Sequence, residues 1–238
     1  MIFYVILSLL IAVLIFIKIN YNRYAHGLRE QPSYFLWFLT CVVNFQGWSK
    51  ESYCLSTAHF KSNDQSGYLN EKDIPMRNQS RPKMLRALPH RQLSQQAPDD
   101  IMYLMHQYIE SISIPRYGGV TTGDQLLLRG KSIVEYTGAD GLFLPNADQN
   151  SFGRGEIAHL HSNDGSFHML VHPSDAKLLI DKQWAERFPL AGMNLFNRIT
   201  IPDTYILIYA PQNENEVAIW KTILTGAIKY SRDNRTAY

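Results

Sequence analysis

The chain has 238 residues, enough for one sizeable domain together with an anchor. Its make-up of 45% apolar and 18% charged residues is that of an ordinary globular protein, and a net charge of +2 without any stripe of Lys and Arg argues against a nucleic-acid partner. Two cysteines, Cys41 and Cys54, are too few for a disulfide framework and favour a reducing compartment.

Residues Ile2 to Ile17 carry no charge and one hydroxyl, Ser8. Sixteen helical residues span ~24 Å, short of a ~30 Å hydrocarbon core, but Lys18 can snorkel and Ile19 to Tyr21 extend the helix into the headgroups. A cleaved signal peptide needs a basic region before the apolar run and a small-residue cleavage site. Nothing basic precedes Ile2, and Ala25-His26-Gly27 is a poor site. A buried core helix would show a polar face, which the run lacks. A retained transmembrane anchor over residues 1–21, in contact with membrane lipid, is the reading that remains. Lys18, Arg23 and Arg29 follow it and no charge precedes it. The positive-inside rule then places the rest of a single-pass protein in the cytosol, on an endomembrane. In that compartment the sequons Asn78-Gln79-Ser80 and Asn234-Arg235-Thr236 carry no weight.

Tyr34 to Phe45 (YFLWFLTCVVNF) is apolar but too short to span. Trp37 within it and Trp48 beyond suit a helix lying at the interface, and a core helix fits the same pattern. Residues 49–80 read as a loop-rich linker, so 22–80 form an interfacial helix and linker. The stretch from Arg81 to Gln96 (RPKMLRALPHRQLSQQ) is basic and broken by Pro82 and Pro89. After Pro98 the residues Ile101, Leu104, Met105, Tyr108 and Ile109 recur at helical spacing, behind Asp99 and Asp100 in a first turn, up to about Ser113.

Short strands are predicted over Gln125–Leu128, Ser132–Tyr136 and Gly141–Pro145. A hairpin follows: Glu156–His161, the turn Ser162-Asn163-Asp164-Gly165, and Ser166–His172. Pro173-Ser174-Asp175 opens a helix to about Gln183, with Ser174 as its N-cap. A loop (WAERFPLAG) leads to the strand Thr204–Ala210, and Asn213 caps a last helix to about Tyr230. The pattern predicts an α+β domain over residues 81–238, a mostly antiparallel sheet with packed helices.

His159 and His161 share one face of their strand, and His168 lies on the partner strand. A two-residue turn sets His161 against His168; a four-residue loop leaves two registers, of which the tightest, His161 against Ser166, sets His159 against His168 instead. Either way three imidazoles share one patch. Glu156 starts on the opposite face and needs a twist or bulge to join. Three readings stand: a metal site on His159, His161 and His168, a proton-transfer site, or structural histidines.

From Gly155 onward the chain resembles the fungal luciferase family and its non-luminous relatives. The resemblance rests on Glu156-Ile157-Ala158-His159-Leu160-His161, Gly165-Ser166-Phe167-His168, Ser174-Asp175-Ala176, Trp184 with Glu186-Arg187, Pro189-Leu190-Ala191-Gly192, and Tyr209-Ala210-Pro211 with Asn213-Glu214. Arg81-Pro82-Lys83 and Pro89-His90-Arg91-Gln92 match an upstream motif, and the anchor is similar too. Phe188, Ala185 and Gln212 stand where relatives commonly carry His, Gly and Arg.

The resemblance implies an oxygenase acting on a hydroxylated styryl-pyrone (hydroxyhispidin) with O2 as co-substrate and no metal or organic cofactor. It would decarboxylate this small apolar aromatic or polyketide substrate and emit light. One of His159, His161 and His168 would then be the base, with Glu156 beside them in the catalytic set. Arg187 would hold the anionic oxygen. Trp184 and Tyr209 would stack on the pyrone, and His90 and Arg91 would close the pocket. A metal-dependent enzyme, oxygenase or hydrolase, using the same histidines and a non-catalytic membrane-associated binding protein are the competing expectations.

Overall fold

The structure, a computed structural model, describes residues 2–26, 33–45, 51–58, 60, 66–85, 88–116, 126–135, 139–148, 150–195 and 199–234. Gly27, Arg29, Trp48, Gln125, Tyr136, Arg235 and Thr236, which figure in the sequence readings above, lie outside the described residues.

Helix α1 (Ile2–His26) has 25 residues, about 37 Å at 1.5 Å per residue, one turn longer than the expected anchor. Its residues from Ile2 to Phe16 are exposed throughout, so length and composition make it a candidate membrane span. Helix α2 (Tyr34–Phe45) meets its C-terminal end. Tyr21 and Tyr34 stack there at 4.0 Å, and the Trp37 indole donates to Asn20 Oδ1 at 2.9 Å. Phe35, Phe38, Leu39 and Val42 of α2 stay exposed.

Between residues 49 and 80 lie a short helix, α3 (Glu51–Cys54), and a 3-10 turn (Glu71–Asp73). Much of this stretch is packed rather than linker. Ile74 is fully buried in the core, the Tyr68 and Leu69 amides donate to Asp175, and the Trp184 indole donates to the Pro75 carbonyl at 2.7 Å.

The central sheet comprises β1 (Ser113–Pro115), β2 (Leu127–Lys131), β3 (Asp140–Phe143), β4 (Glu156–Leu160), β5 (Phe167–Leu170), β6 (Ala185–Arg187) and β9 (Tyr205–Ile208). A separate ribbon pairs β7 (Asn194–Leu195) with β8 (Ile199–Thr200). The seven strands run in the order β1-β2-β3-β4-β5-β9-β6, antiparallel except for β1 beside β2. This is the α+β class that the sequence predicts, with one parallel edge added.

Helices α4 (Asp99–Ser111) and α6 (Glu214–Asp233) supply the core on one face of the sheet. Met105, Ile109, Trp220 and Leu224 pack there with Ala158, Leu160, Phe167, Met169, Ile206 and Ile208. Because strand residues alternate, His159, His168 and Tyr205 fall on the other face. That second face is covered by the irregular segment around residues 88–97.

Three local expectations are corrected. Residues 132–135 form a bend instead of a strand, because the Ile133 and Val134 amides donate to the Glu156 carboxylate rather than to a neighbouring strand. Helix α5 (Pro173–Asp181) is capped by His172, whose ring accepts from the Ser174 amide, and not by Ser174. The expected loop WAERFPLAG contributes the edge strand β6, paired with β9.

Candidate metal centre

The hairpin takes the register of the four-residue loop: His159 pairs with His168, and the His161 amide donates to the Ser166 carbonyl. Asp164 fixes that register. Its Oδ1 accepts from the Ser166 amide and hydroxyl at 2.8 and 2.7 Å, and its Oδ2 accepts from the Gln92 amide at 2.7 Å. One buried turn carboxylate thus ties the 88–97 segment to the hairpin. Burial pushes the Asp164 carboxyl up, against the pull of Arg91 and these hydrogen bonds.

Three imidazoles form a near-equilateral group, with ring centroids 5.1, 5.2 and 5.0 Å apart for the pairs His159–His161, His159–His168 and His161–His168. Each is essentially sealed from solvent. Each Nδ1 faces a fixed acceptor. That of His159 meets Glu156 Oε1 at 2.7 Å, and that of His168 meets the Ile206 carbonyl at 3.2 Å. That of His161 meets Ser166 Oγ at 2.7 Å, and because this hydroxyl gives its own proton to Asp164, the imidazole must be the donor. With Nδ1 protonated on all three rings, the Nε2 atoms carry the lone pairs. One nitrogen from each ring lies within 4.8 Å of the others. Anchoring of the non-ligating nitrogen is how metal-binding histidines are oriented.

Burial, then Arg91 and the neighbouring imidazoles, push His161 well below the usual histidine value. Burial, then His159 and His90, do the same to His168. Both rings are therefore neutral near pH 7, the state a metal ligand or a base requires.

Glu156 reaches the cluster through a bulge. Leu142 pairs with Ala158 while Phe143 pairs with Glu156, so Ile157 is an extra residue that turns Glu156 onto the histidine face. Its carboxylate accepts from Ser132 Oγ, the Ile133 and Val134 amides and His159 Nδ1. The bend it fixes delivers Glu135, whose Oε2 stands 3.1 Å from Nε2 of both His159 and His161. Arg91 donates to Glu135 Oε1 through Nη2, and through Nη1 to His161 Nε2 at 2.7 Å. Burial lowers Arg91 to about 10, leaving it a cation at neutral pH.

A second layer adjoins the first. His90 lies against His168 and Phe188 at ring distances of 5.4 and 5.7 Å. Its Nε2 is 2.7 Å from Glu186 Oε1, and Glu186 also accepts from Arg81 Nε at 2.7 Å and from the Tyr209 hydroxyl at 3.0 Å. Burial alone would raise the Glu186 carboxyl, but the hydrogen bonds and charges of His90 and Arg81 outweigh it and hold the group below the usual range. A depressed carboxyl stabilises the fold above its unfolded value of about 4.3, and that contribution is lost as pH falls through the folded value. Glu186→Gln should therefore cost about 3 kcal/mol at pH 7, and the deficit against wild type should shrink as pH falls below about 4 in paired denaturation curves.

Of the residues expected at the site, His159, His161, His168, Glu156, His90 and Arg91 are brought together. Trp184 sits in the main core instead, and Tyr209 reaches the group only through Glu186. Arg187 donates to the Tyr53 hydroxyl, the Ala191 carbonyl and Asp203. Sequence reasoning passed over Glu135, Glu186 and Tyr205. Tyr205 stacks on His168 at 4.9 Å, and Phe188 meets the same ring edge-on at 5.2 Å. Period-two alternation from the buried strand β9 was the signal for Tyr205; nothing local marked Glu135.

Residues 154–227 match the family described as Luciferase domain. This interval holds Glu156, the three histidines and Glu186, while His90, Arg91 and Glu135 lie before it. A luciferase from Armillaria gallica is 31% identical over 171 residues, covering 66% of this chain and 61% of the relative. That from Armillaria ostoyae gives the same figures, and that from Neonothopanus nambi is 27% identical over 168 residues with the same coverage. The chain thus spans 61% of the length of these curated relatives. No solved structure matches it. A family match that falls on the histidine hairpin itself, repeated across several fungal relatives, leads to one conclusion: the chain belongs to the fungal luciferase-domain family.

Proposed function

We propose that this chain is a membrane-anchored luciferase-domain enzyme that holds a metal ion on His159, His161 and His168. It uses that ion, as oxygenase or hydrolase, on a small apolar aromatic or polyketide substrate. The observation that carries the reading is the set of three buried rings whose Nδ1 atoms are all engaged as donors, with one nitrogen of each ring within 4.8 Å of the others. That spacing is one on which His159, His161 and His168 would hold a single ion. The ion would supply Lewis acidity toward water or a carbonyl, or a place for O2. The chain's own residues would do the rest: Glu156 and Ser166 orient the ligands, Tyr205 and Phe188 keep the patch dry, and His90 with Glu186 holds a proton beside it.

One observation favours a second reading, a cofactor-independent oxygenase of a hydroxylated pyrone. Arg91 Nη1 donates to His161 Nε2, so a guanidinium that turned from this lone pair to an enol oxygen would hold that oxygen and leave a neutral imidazole beside it to take the enol proton. The test is the full-length protein in detergent, stripped with a chelator and then reloaded, given a hydroxylated styryl-pyrone under O2. Oxygen uptake, photons and lactone opening are followed separately. Turnover that vanishes on stripping and returns with the ion supports the metal reading; undiminished turnover supports the second.

In the same proposal residues 1–21 form a single membrane span, the region 22–80 carries an interfacial helix, and the catalytic domain faces the cytosol on an endomembrane. Deleting residues 1–30 should release the protein and lower turnover of membrane-supplied substrate several-fold more than turnover of dissolved substrate. Equal loss on both would assign the helix to folding instead.

A further inference from the structure

We propose that Glu135 supplies a fourth, anionic ligand to the metal ion, and that Arg91 positions this carboxylate by holding its other oxygen. The inference rests on the three-histidine reading above and deepens it.

The two carboxylate oxygens have different surroundings. Oε1 is engaged by Arg91. Oε2 stands 3.1 Å from Nε2 of His159 and 3.1 Å from Nε2 of His161, inside a buried patch. Neither Glu135 Oε2 nor His159 Nε2 has a hydrogen-bond partner among the described residues, although the two atoms are this close. With Nδ1 protonated on both rings, the arrangement sets a carboxylate oxygen against two imidazole lone pairs. Arg91 serves the His161 lone pair at 2.7 Å, and a proton on His159 would serve only that ring's contact with Glu135. A metal ion serves all four atoms together.

Charge points the same way. Three neutral imidazoles leave a divalent ion with its full charge in a buried site, beside the Arg91 cation. One carboxylate among the ligands offsets part of that charge. Arg91 keeps a second partner for Nη1 in the His90 carbonyl at 3.1 Å, so it can yield the His161 lone pair without being stranded. A donor set of three imidazoles and one carboxylate suits first-row transition ions and not Ca2+ or Mg2+. In a tetrahedral ion these four would close the shell. In a six-coordinate ion they would leave two positions open to substrate or O2.

Cobalt(II) titration of full-length, metal-stripped protein in detergent tests this, read by the visible absorption bands. Wild type should bind about one ion per chain, and Glu135→Gln should bind about 10- to 100-fold more weakly with shifted bands. Glu135→Asp keeps the charge on a shorter arm, so it should show bands shifted less than Gln, and it stands in where Gln does not fold. Bands and affinity unchanged in the variant that folds would remove Glu135 from the ligand set while leaving the three histidines in place. A wild type that takes up no cobalt would overturn the three-histidine reading itself.

Discussion

Replacing His159 with alanine should abolish stoichiometric metal binding and lower turnover by about 100-fold or more, since it removes one of the three ligands of the proposed metal site. His159 has a carboxylate on each side, Glu156 at 2.7 Å from Nδ1 and Glu135 at 3.1 Å from Nε2. His161→Ala and His168→Ala should behave alike, because each ring contributes one nitrogen to the same group. Metal content by elemental analysis and turnover on the same preparations check this. Full metal occupancy in His159→Ala with lost turnover would make the residue a base and not a ligand.

The second large effect is expected at Glu156. Glu156 is 3% exposed and its carboxylate accepts from a buried hydroxyl, two partly buried amides and a buried imidazole, so Glu156→Ala strands four donors at once. Loss of a buried, fully used carboxylate typically costs about 3–5 kcal/mol, and this one also holds the bend that carries Glu135. Denaturation of Glu156→Ala should show that loss. Glu156→Gln, which keeps oxygen and shape, should lose less stability yet still bind metal about 10-fold more weakly, because its amide accepts less strongly from His159. Equal stability of wild type and Glu156→Ala would mean that water replaces the carboxylate and that the bend holds without it.

Local patterning made much of this legible. Alternation on either side of Asp164-Gly165 predicts the hairpin and puts His159, His161 and His168 on one patch. The same alternation leaves the register open, because either loop length satisfies it. What chose between them is Asp164, which accepts from Ser166 and from Gln92, a residue far away in sequence. Asn213 as the cap of α6 was readable for the same local reason. Glu135 was not readable. Ile133 and Val134 favour a strand on propensity alone, and the carboxylate that bends them away comes from Glu156 on another element. The bulge at Ile157 that makes this contact depends on pairing with β3, which no feature of β4 announces. Trp184 shows the converse error: an aromatic residue within a family motif drew a binding role, while its indole and ring serve the core beneath Pro75.

Under the proposed function the candidate membrane span α1, about 37 Å long, would hold the site where apolar ligands collect.

The measurement that bears most directly on the central claim is elemental analysis of the full-length protein, purified in detergent without chelator, beside the double variant His159→Ala/His168→Ala. About one transition-metal ion per chain is expected in the wild type and none in the variant, with the fold retained in both. A wild type that turns over substrate at full rate while carrying no more metal than the variant would contradict that claim.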